Sequence, residues 1–154
     1  MSHSLTKIWL HVVFGTKNRR PLIDRSFEKK LHLHIKEHLE RDLGCAVRAI
    51  NGITDHIHIL LLLNPNHAVA DLVQNIKGES SHWVNQGELS DERFAWQIGY
   101  GAFSVSESHM RRVERYILNQ KEHHRIKTFA EEYQQFAKMH GLKLNLETVE
   151  TVSE

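Results

Sequence analysis

The first clear pattern in the chain is an alternation of side chains between residues 5 and 14. Successive side chains of a strand point to opposite faces, so this period predicts a strand. One predicted face holds Ile8, Leu10, Val12 and Phe14, and the other holds Trp9, His11 and Val13. The basic segment GTKNRRP follows and ends the strand.

Apolar residues at helical spacing come next. A helix is predicted from Asp24, a suitable N-cap, to about Leu43, and Gly44 ends it. Further strands are predicted over 45–52, 56–63 and 94–104, and further helices over 67–85, 109–123 and 129–140. Ser106 or Ser108 is the N-cap candidate for the helix at 109, and Thr128 for the helix at 129.

The order of these elements is β-α-β-β-α-β followed by two helices. It predicts an α+β fold of the ferredoxin-like, split β-α-β kind. Such a fold has a four-stranded antiparallel sheet with helices on one face, to which this chain adds two C-terminal helices. The other face of the sheet would then be free to hold a site.

Composition narrows the class of protein. A chain of 154 residues, 40% hydrophobic and 25% charged, is typical of one globular domain. We expect that domain to cover residues 1–141, with a C-terminal tail over 142–154. The net charge of +1 does not by itself indicate nucleic acid, and the single cysteine excludes an intramolecular disulfide and a cysteine-based zinc cluster. No apolar run approaches the ~20 residues of a membrane helix, so a cytoplasmic protein is expected.

The segment DHIHILLLL, residues 55–63, contains the most informative motif. On a strand, His56 and His58 share one face with Leu60, while Ile57 and Ile59 take the other. Two residues on the same face lie about 7 Å apart, which allows both imidazoles to reach one metal ion. The alternative is a pair of half-exposed histidines at the end of a strand with no ligand.

The helix predicted over 109–123 contains residues that could complete a site with these two histidines. Arg112, Tyr116 and Gln120 are spaced by four residues and lie on one helix face. A tyrosine hydroxyl is a nucleophile once activated, a glutamine oxygen is a metal ligand, and nearby arginines suit a phosphodiester. Tyr116 is a better candidate than Tyr100, which lies between glycines, or Tyr133, whose acidic neighbours would repel phosphate. The alternative is that Tyr116 is a half-buried boundary residue.

Weaker signals concern the binding of DNA. The basic candidates are Lys17, Arg19, Arg20, Lys77, Arg111, Arg112 and Arg115. Trp83 and Trp96 are candidates for stacking on bases, although both also suit a core. His123 and His124 are candidate ligands that equally suit a helix C-terminus.

Taken together, DHIHILL, WQIGYGAFSVS and VERYILNQKEHHR resemble the single-tyrosine transposases of the HUH superfamily. This group is the insertion-sequence 200/605 type, which includes the repeat-associated tyrosine transposases. HUH stands for histidine, hydrophobic residue, histidine, and the resemblance covers nearly the whole chain.

The resemblance implies an enzyme that cuts single-stranded DNA beside hairpins and rejoins strands through a 5′-phosphotyrosine. It implies Tyr116 as the nucleophile, and His56, His58 and Gln120 as ligands of Mg²⁺ or Mn²⁺. It also implies a homodimer, in which one chain's tyrosine helix can complete its partner's site, working in the cytoplasm on nucleoid DNA.

Three other classes remain to be weighed. A nucleotide hydrolase of the histidine-triad kind would need a third alternating histidine at position 60, where the chain has Leu60. A small replication initiator or relaxase shares the histidines and tyrosine, but such proteins usually carry further domains. A domesticated protein that binds or nicks hairpins without transposing is the alternative from another class.

Overall fold

The computed structural model describes residues 4–123 and 127–141. His124 and the predicted tail over 142–154 lie outside the described residues. The strands are β1 (Trp9–Gly15), β2 (Ala46–Ile53), β3 (His56–Leu62) and β4 (Gly101–Val105). The α-helices are α1 (Glu28–Glu37), α2 (Val69–Gln86), α3 (Met110–Leu118), α4 (Gln120–His123) and α5 (Phe129–Met139). A π-helical turn, His38–Asp42, extends α1, and 3-10 turns cover Lys17–Arg19 and Glu107–His109.

The four strands form one sheet in the order β2-β3-β1-β4. Each neighbouring pair is antiparallel. This confirms the predicted split β-α-β arrangement, in which the two central strands are β1 and β3. In the register between them, Gly15 lies opposite His56 and Val13 lies opposite His58. The histidine motif is therefore held by hydrogen-bonded strands on both of its sides.

The main core lies between the sheet and helices α1 and α2. Its strand residues are those predicted to share the inner face, namely Leu10, Val12, Phe14, Ile57, Ile59 and Leu61. Helix residues Leu31, Ile35, Leu72 and Ile76 pack against them. Burial of this apolar surface is the dominant stabilising contribution, at about 25 cal/mol per Å² removed from water.

The opposite face of the sheet is covered as well. Helix α3 packs its Met110 and Ile117 against Leu60 and Ala49. Helix α5 packs Phe129 and Tyr133 against Val13 and Phe103. The sheet face that was predicted to be free is therefore covered by a layer of C-terminal helices. The candidate site lies between that layer and the sheet.

Strand β1 begins at Trp9 rather than at residue 5, and Ile8, which was predicted to share its inner face, is 42% exposed. The structure corrects three further predicted boundaries. Helix α1 begins at Glu28, because the Asp24 carboxylate accepts a bond from the Ser26 amide in a turn that precedes the helix. Strand β4 begins at Gly101 rather than at Phe94. Gly99 has a φ of 90°, which turns the chain before the strand begins.

The third correction concerns the single helix predicted over 109–123, which is interrupted at Asn119. The Asn51 side-chain amide donates to the carbonyls of Ile117 and Leu118, both at 3.1 Å. Those carbonyls would otherwise accept bonds from the next helical turn. The interruption therefore ties α3 to strand β2 just before Gln120. Among the described helices, none is long and apolar enough to cross a membrane.

Candidate active site

The histidine pair lies fully buried on the sheet face that α3 and α5 cover. His56 and His58 are each 0% exposed, and their ring centroids are 5.1 Å apart. Leu60 shares their face, as strand alternation predicts. Gly15 opposite His56 provides necessary space, because a Cβ there would lie 2.7 Å from the Phe129 ring. That ring stacks on His56 with centroids 4.4 Å apart.

His56 has an acceptor oxygen at each ring nitrogen. Its Nδ1 donates to Asp55 Oδ1 at 2.7 Å, and its Nε2 donates to Gln120 Oε1 at 3.1 Å. Burial by itself would lower the pKa of His56, but hydrogen bonds to Asp55 and Glu132 and their negative charges outweigh it and raise the pKa to about 9. Without a bound cation, the ring is therefore protonated at neutral pH.

His58 is held by partners on both sides too. Its Nε2 lies 2.7 Å from Glu132 Oε1, and its Nδ1 lies 2.7 Å from His11 Nε2. His11 is 1% exposed, and burial, followed by the repulsion of His58, lowers its pKa well below the ordinary value. His11 therefore stays neutral, and one of its nitrogens orients the His58 ring. The predicted alternation, which sets His11 on the face of the first strand that also holds Trp9 and Val13, is confirmed.

Glu132 at the centre of the cluster is a residue that the sequence reasoning missed. Its carboxylate is 2% exposed and comes from the first turn of α5. Oε1 faces both histidines, at 2.7 Å from His58 Nε2 and 3.5 Å from His56 Nε2. Oε2 accepts from Gln120 Nε2 at 3.3 Å and from the Tyr116 hydroxyl. A helical-period signal was present, since Phe129, Glu132, Tyr133 and Phe136 fall on one face of α5.

Tyr116 and Gln120 reach this cluster from the same chain. Gln120 is fully buried, whereas Tyr116 is half-buried with its hydroxyl inside the cluster. Burial, and then the negative charge of Glu132, raise the pKa of the Tyr116 hydroxyl. The nucleophile candidate therefore remains a phenol at neutral pH and needs an acceptor for its proton to react.

The donor set fits a divalent cation. One ligand atom from each of His56, His58 and Glu132 lies within 4.8 Å of the others, and all three residues are buried. Two imidazole nitrogens and a carboxylate oxygen are ligands for Mn²⁺ and other first-row metals. The contacts from Asp55 to His56 and from His11 to His58 are of the kind that orient metal-binding imidazoles. The described residues thus form a candidate metal site beside a tyrosine hydroxyl.

Comparison with known proteins identifies the family. Residues 4–120 match the family model "Transposase IS200 like", which is most of the chain. The chain belongs to the IS200-like transposase family. The matched segment contains the histidine motif, Tyr116 and Gln120, but it ends before α5 and Glu132.

Individual relatives agree with this family. The ISDra2 transposase TnpA of Deinococcus radiodurans is 29% identical over 82 residues, which is 50% of this chain and 59% of that protein. The chain thus aligns with less than two thirds of that relative's length. A crystal structure of a candidate transposase from Deinococcus radiodurans R1 has a TM-score of 0.61 at 24% identity, covering 78% of this chain and 95% of that one. A REP-associated tyrosine transposase bound to a REP hairpin has a TM-score of 0.59 at 18% identity, covering 80% and 74%.

The basic residues predicted to bind DNA are spread over the surface of this protein. Lys17 and Arg20 are exposed in the loop after β1, and Arg20 pairs with Glu92. Arg19, in the same loop, is half-buried. Arg111, Arg112 and Arg115 are exposed along α3, the helix that carries Tyr116.

Lys77 differs from the other basic candidates. Its ammonium donates to the carbonyls of Gln97 and Gly99 at 2.7 and 2.9 Å. Burial lowers the pKa of this amine. The contacts of Lys77 therefore join helix α2 to the loop before β4, so this residue stabilises the fold.

The two tryptophans predicted either to stack on bases or to lie in the core have different positions. Trp96 belongs to the core, where its ring contacts Phe14 and its Nε1 donates to Ser80 Oγ at 2.9 Å. Trp83 is half-buried and stacks on His34.

Tyr133 is buried and donates to the Tyr100 carbonyl at 3.0 Å. These contacts leave Tyr116 as the tyrosine whose hydroxyl meets the histidine cluster within the described residues. The side chain of His123, like His124, is outside the described part of the chain.

Proposed function

We propose that this transposase cleaves single-stranded DNA beside a hairpin and transfers the strand through a 5′-phosphotyrosine at Tyr116. We further propose that Mg²⁺ or Mn²⁺ is held by His56, His58 and Gln120. The observation that carries the proposal is the position of the Tyr116 hydroxyl, which lies in a buried cluster with the His-x-His pair of the same chain. Membership of the IS200-like family supports the same reaction class.

In the proposed reaction, Tyr116 Oη attacks the scissile phosphorus. A new P–Oη bond forms, the P–O3′ bond breaks, and the leaving 3′ oxygen takes up a proton. The Tyr116 hydroxyl proton already has an acceptor in Glu132, which also fixes the direction of the hydroxyl. A cation bound here supplies a Lewis acid for the scissile phosphate. Attack by a 3′ hydroxyl on the phosphotyrosine reverses these bond changes and rejoins the strands.

Surface charge supports a DNA substrate near Tyr116. Arg111, Arg112 and Arg115 are exposed on the same helix, where they would meet backbone phosphates. The similar fold of a tyrosine transposase bound to a REP hairpin favours a hairpin-bearing strand over a plain one. The homodimer stays a prediction, which sedimentation of the purified protein checks. We place the enzyme in the cytoplasm, on nucleoid DNA.

The test is a covalent adduct assay. Purified protein is mixed with Mn²⁺ and hairpin-bearing single strands taken from the DNA that flanks the gene, and adducts are separated on denaturing gels. We expect an adduct with wild-type protein and none with Tyr116→Phe, which lacks only the hydroxyl. His58→Ala should abolish cleavage while hairpin binding persists. Tyr100→Phe is the matched control and should still form the adduct, because the Tyr100 hydroxyl takes no part in the contacts described for the cluster.

The same assay separates the remaining alternatives. A domesticated binding protein would shift the hairpin on a native gel without forming an adduct. An adduct that survives Tyr116→Phe would contradict the assignment of the nucleophile. Normal cutting by His58→Ala would contradict the metal role of the histidine motif.

A further inference from the structure

Helix α5 delivers a carboxylate into the centre of the site from outside the segment that matches the family. That segment ends at residue 120, whereas α5 spans Phe129–Met139. We propose that Glu132 is a ligand of the divalent cation, so that the site binds the ion with an anionic group besides the two imidazoles and the Gln120 amide. This inference rests on the proposed metal site and deepens it.

Packing of α5 determines where the carboxylate lies. Thr128 caps the helix, its side chain accepting a bond from the Glu131 amide at 3.2 Å. Phe129 then stacks on His56, and Tyr133 bonds the backbone before β4. With these two neighbours on the buried face fixed in this way, Glu132 lies on the same face and its carboxylate points toward the histidines. Glu131, one residue earlier, is exposed.

Distances favour coordination by one specific oxygen. Ligand atoms on adjacent positions of an octahedral ion, each ~2.1 Å from it, lie about 3 Å from one another. Glu132 Oε1 is 2.7 Å from His58 Nε2 and 3.5 Å from His56 Nε2. Gln120 Oε1 is 3.1 Å from His56 Nε2. Each of these three pairs has a separation close to that of neighbouring ligands on one cation, and the ligand atoms of His56, His58 and Glu132 all lie within 4.8 Å of one another.

The second oxygen has a separate partner. Oε2 accepts from the Tyr116 hydroxyl and from Gln120 Nε2, so Oε1 can meet a cation while Oε2 keeps the hydroxyl in place. A carboxylate buried to 2% exposure also requires positive charge nearby, since burying an isolated anion is strongly unfavourable. A bound divalent cation would supply that positive charge.

Charge gives the inference a measurable consequence. Two neutral imidazoles and an amide form an uncharged site, whereas Glu132 adds one negative charge, and ligand charge is a main determinant of affinity for a divalent cation. Mn²⁺ binding to the full chain without DNA is measured by titration calorimetry for wild type, Glu132→Gln and the matched control Glu131→Gln. We expect Glu132→Gln to bind Mn²⁺ at least about tenfold more weakly than wild type does. Glu131→Gln should bind Mn²⁺ with wild-type affinity.

Equal affinity in Glu132→Gln would overturn the proposal, and so would tighter binding, which would mean that the carboxylate obstructs the ion. A second measurement needs no variant. Relaxation of water protons counts the waters on bound Mn²⁺, and four protein ligands on a six-coordinate ion leave two waters, whereas three or more would contradict the role of Glu132. Neither readout involves DNA, so a failed adduct assay with a normal Mn²⁺ titration would contradict the proposed function and leave this ligand assignment intact.

Discussion

Replacing His11 with phenylalanine would remove the nitrogen that meets His58 and keep an aromatic ring in the same place. The His11 ring contacts Phe136 and Phe103, with centroids 4.9 and 6.2 Å away, and both contacts suit a phenyl ring. The main loss is therefore the 2.7 Å contact between His11 Nε2 and His58 Nδ1. We expect His11→Phe to fold and to bind Mn²⁺ more weakly.

The size of the effect follows from burial. His58 is 0% exposed, so water cannot replace the lost partner of Nδ1. A buried polar atom without a partner costs about 1–3 kcal/mol, which corresponds to about fivefold to 150-fold in an equilibrium constant. When Nε2 faces a cation, Nδ1 must carry the ring hydrogen, and His11 is the acceptor that it needs. Loss of such orienting contacts weakens metal binding by about tenfold to 100-fold, which agrees with this range.

Titration calorimetry with Mn²⁺ measures the change directly. The control is His67→Phe, because His67 lies beyond the opposite end of β3 and its ring bonds only the Leu43 carbonyl among the contacts described. That variant should bind Mn²⁺ as wild type does. Unchanged Mn²⁺ affinity in a folded His11→Phe protein would refute the reasoning that His11 orients a metal ligand.

Two further predictions concern stability. Burial lowers the pKa of His32 to about 4, its Nε2 has no hydrogen-bond partner among the described residues, and Glu28 and Lys121 are the charges that act on it. Because the folded pKa lies below the unfolded value of ~6.5, stability should fall as pH drops from about 6.5 to 4, by up to roughly 3 kcal/mol from this group. In urea unfolding, the free energy of unfolding of His32→Gln should fall less between pH 6.5 and 4 than that of wild type. An equal fall in both proteins would contradict the assignment of this pH dependence to His32. Leu61→Ala removes a fully buried side chain from the main core and should lower the free energy of unfolding by about 2–5 kcal/mol, whereas a loss below about 1 kcal/mol would contradict the packing described.

Local patterns in the sequence predicted the sheet and half of the candidate site. Alternation along residues 56–62 placed His56 and His58 on one face, because the period of a strand is independent of the rest of the fold. Helical spacing likewise brought Tyr116 and Gln120 toward one side. Their proximity to the histidines followed from the resemblance to a family, and the structure gives the contact between Gln120 and His56.

Local sequence patterns did not predict the contacts between segments that are distant in the chain. The break at Asn119 depends on the Asn51 side chain, which is far away in sequence. Glu132 was read as one of the acidic neighbours that would repel a phosphate, because its burial depends on how α5 docks against Phe103 and Val13. Trp96 was ambiguous between core and base stacking until its contact with Phe14 was known.

The most direct test of the central claim is the covalent adduct formed with hairpin-bearing single-stranded DNA and Mn²⁺. Peptide mapping of the isolated adduct should find the DNA 5′ phosphate on Tyr116, and Tyr116→Phe should form no adduct while still binding the hairpin. An adduct that maps to Tyr100 or Tyr133, or that persists in Tyr116→Phe, would contradict the account.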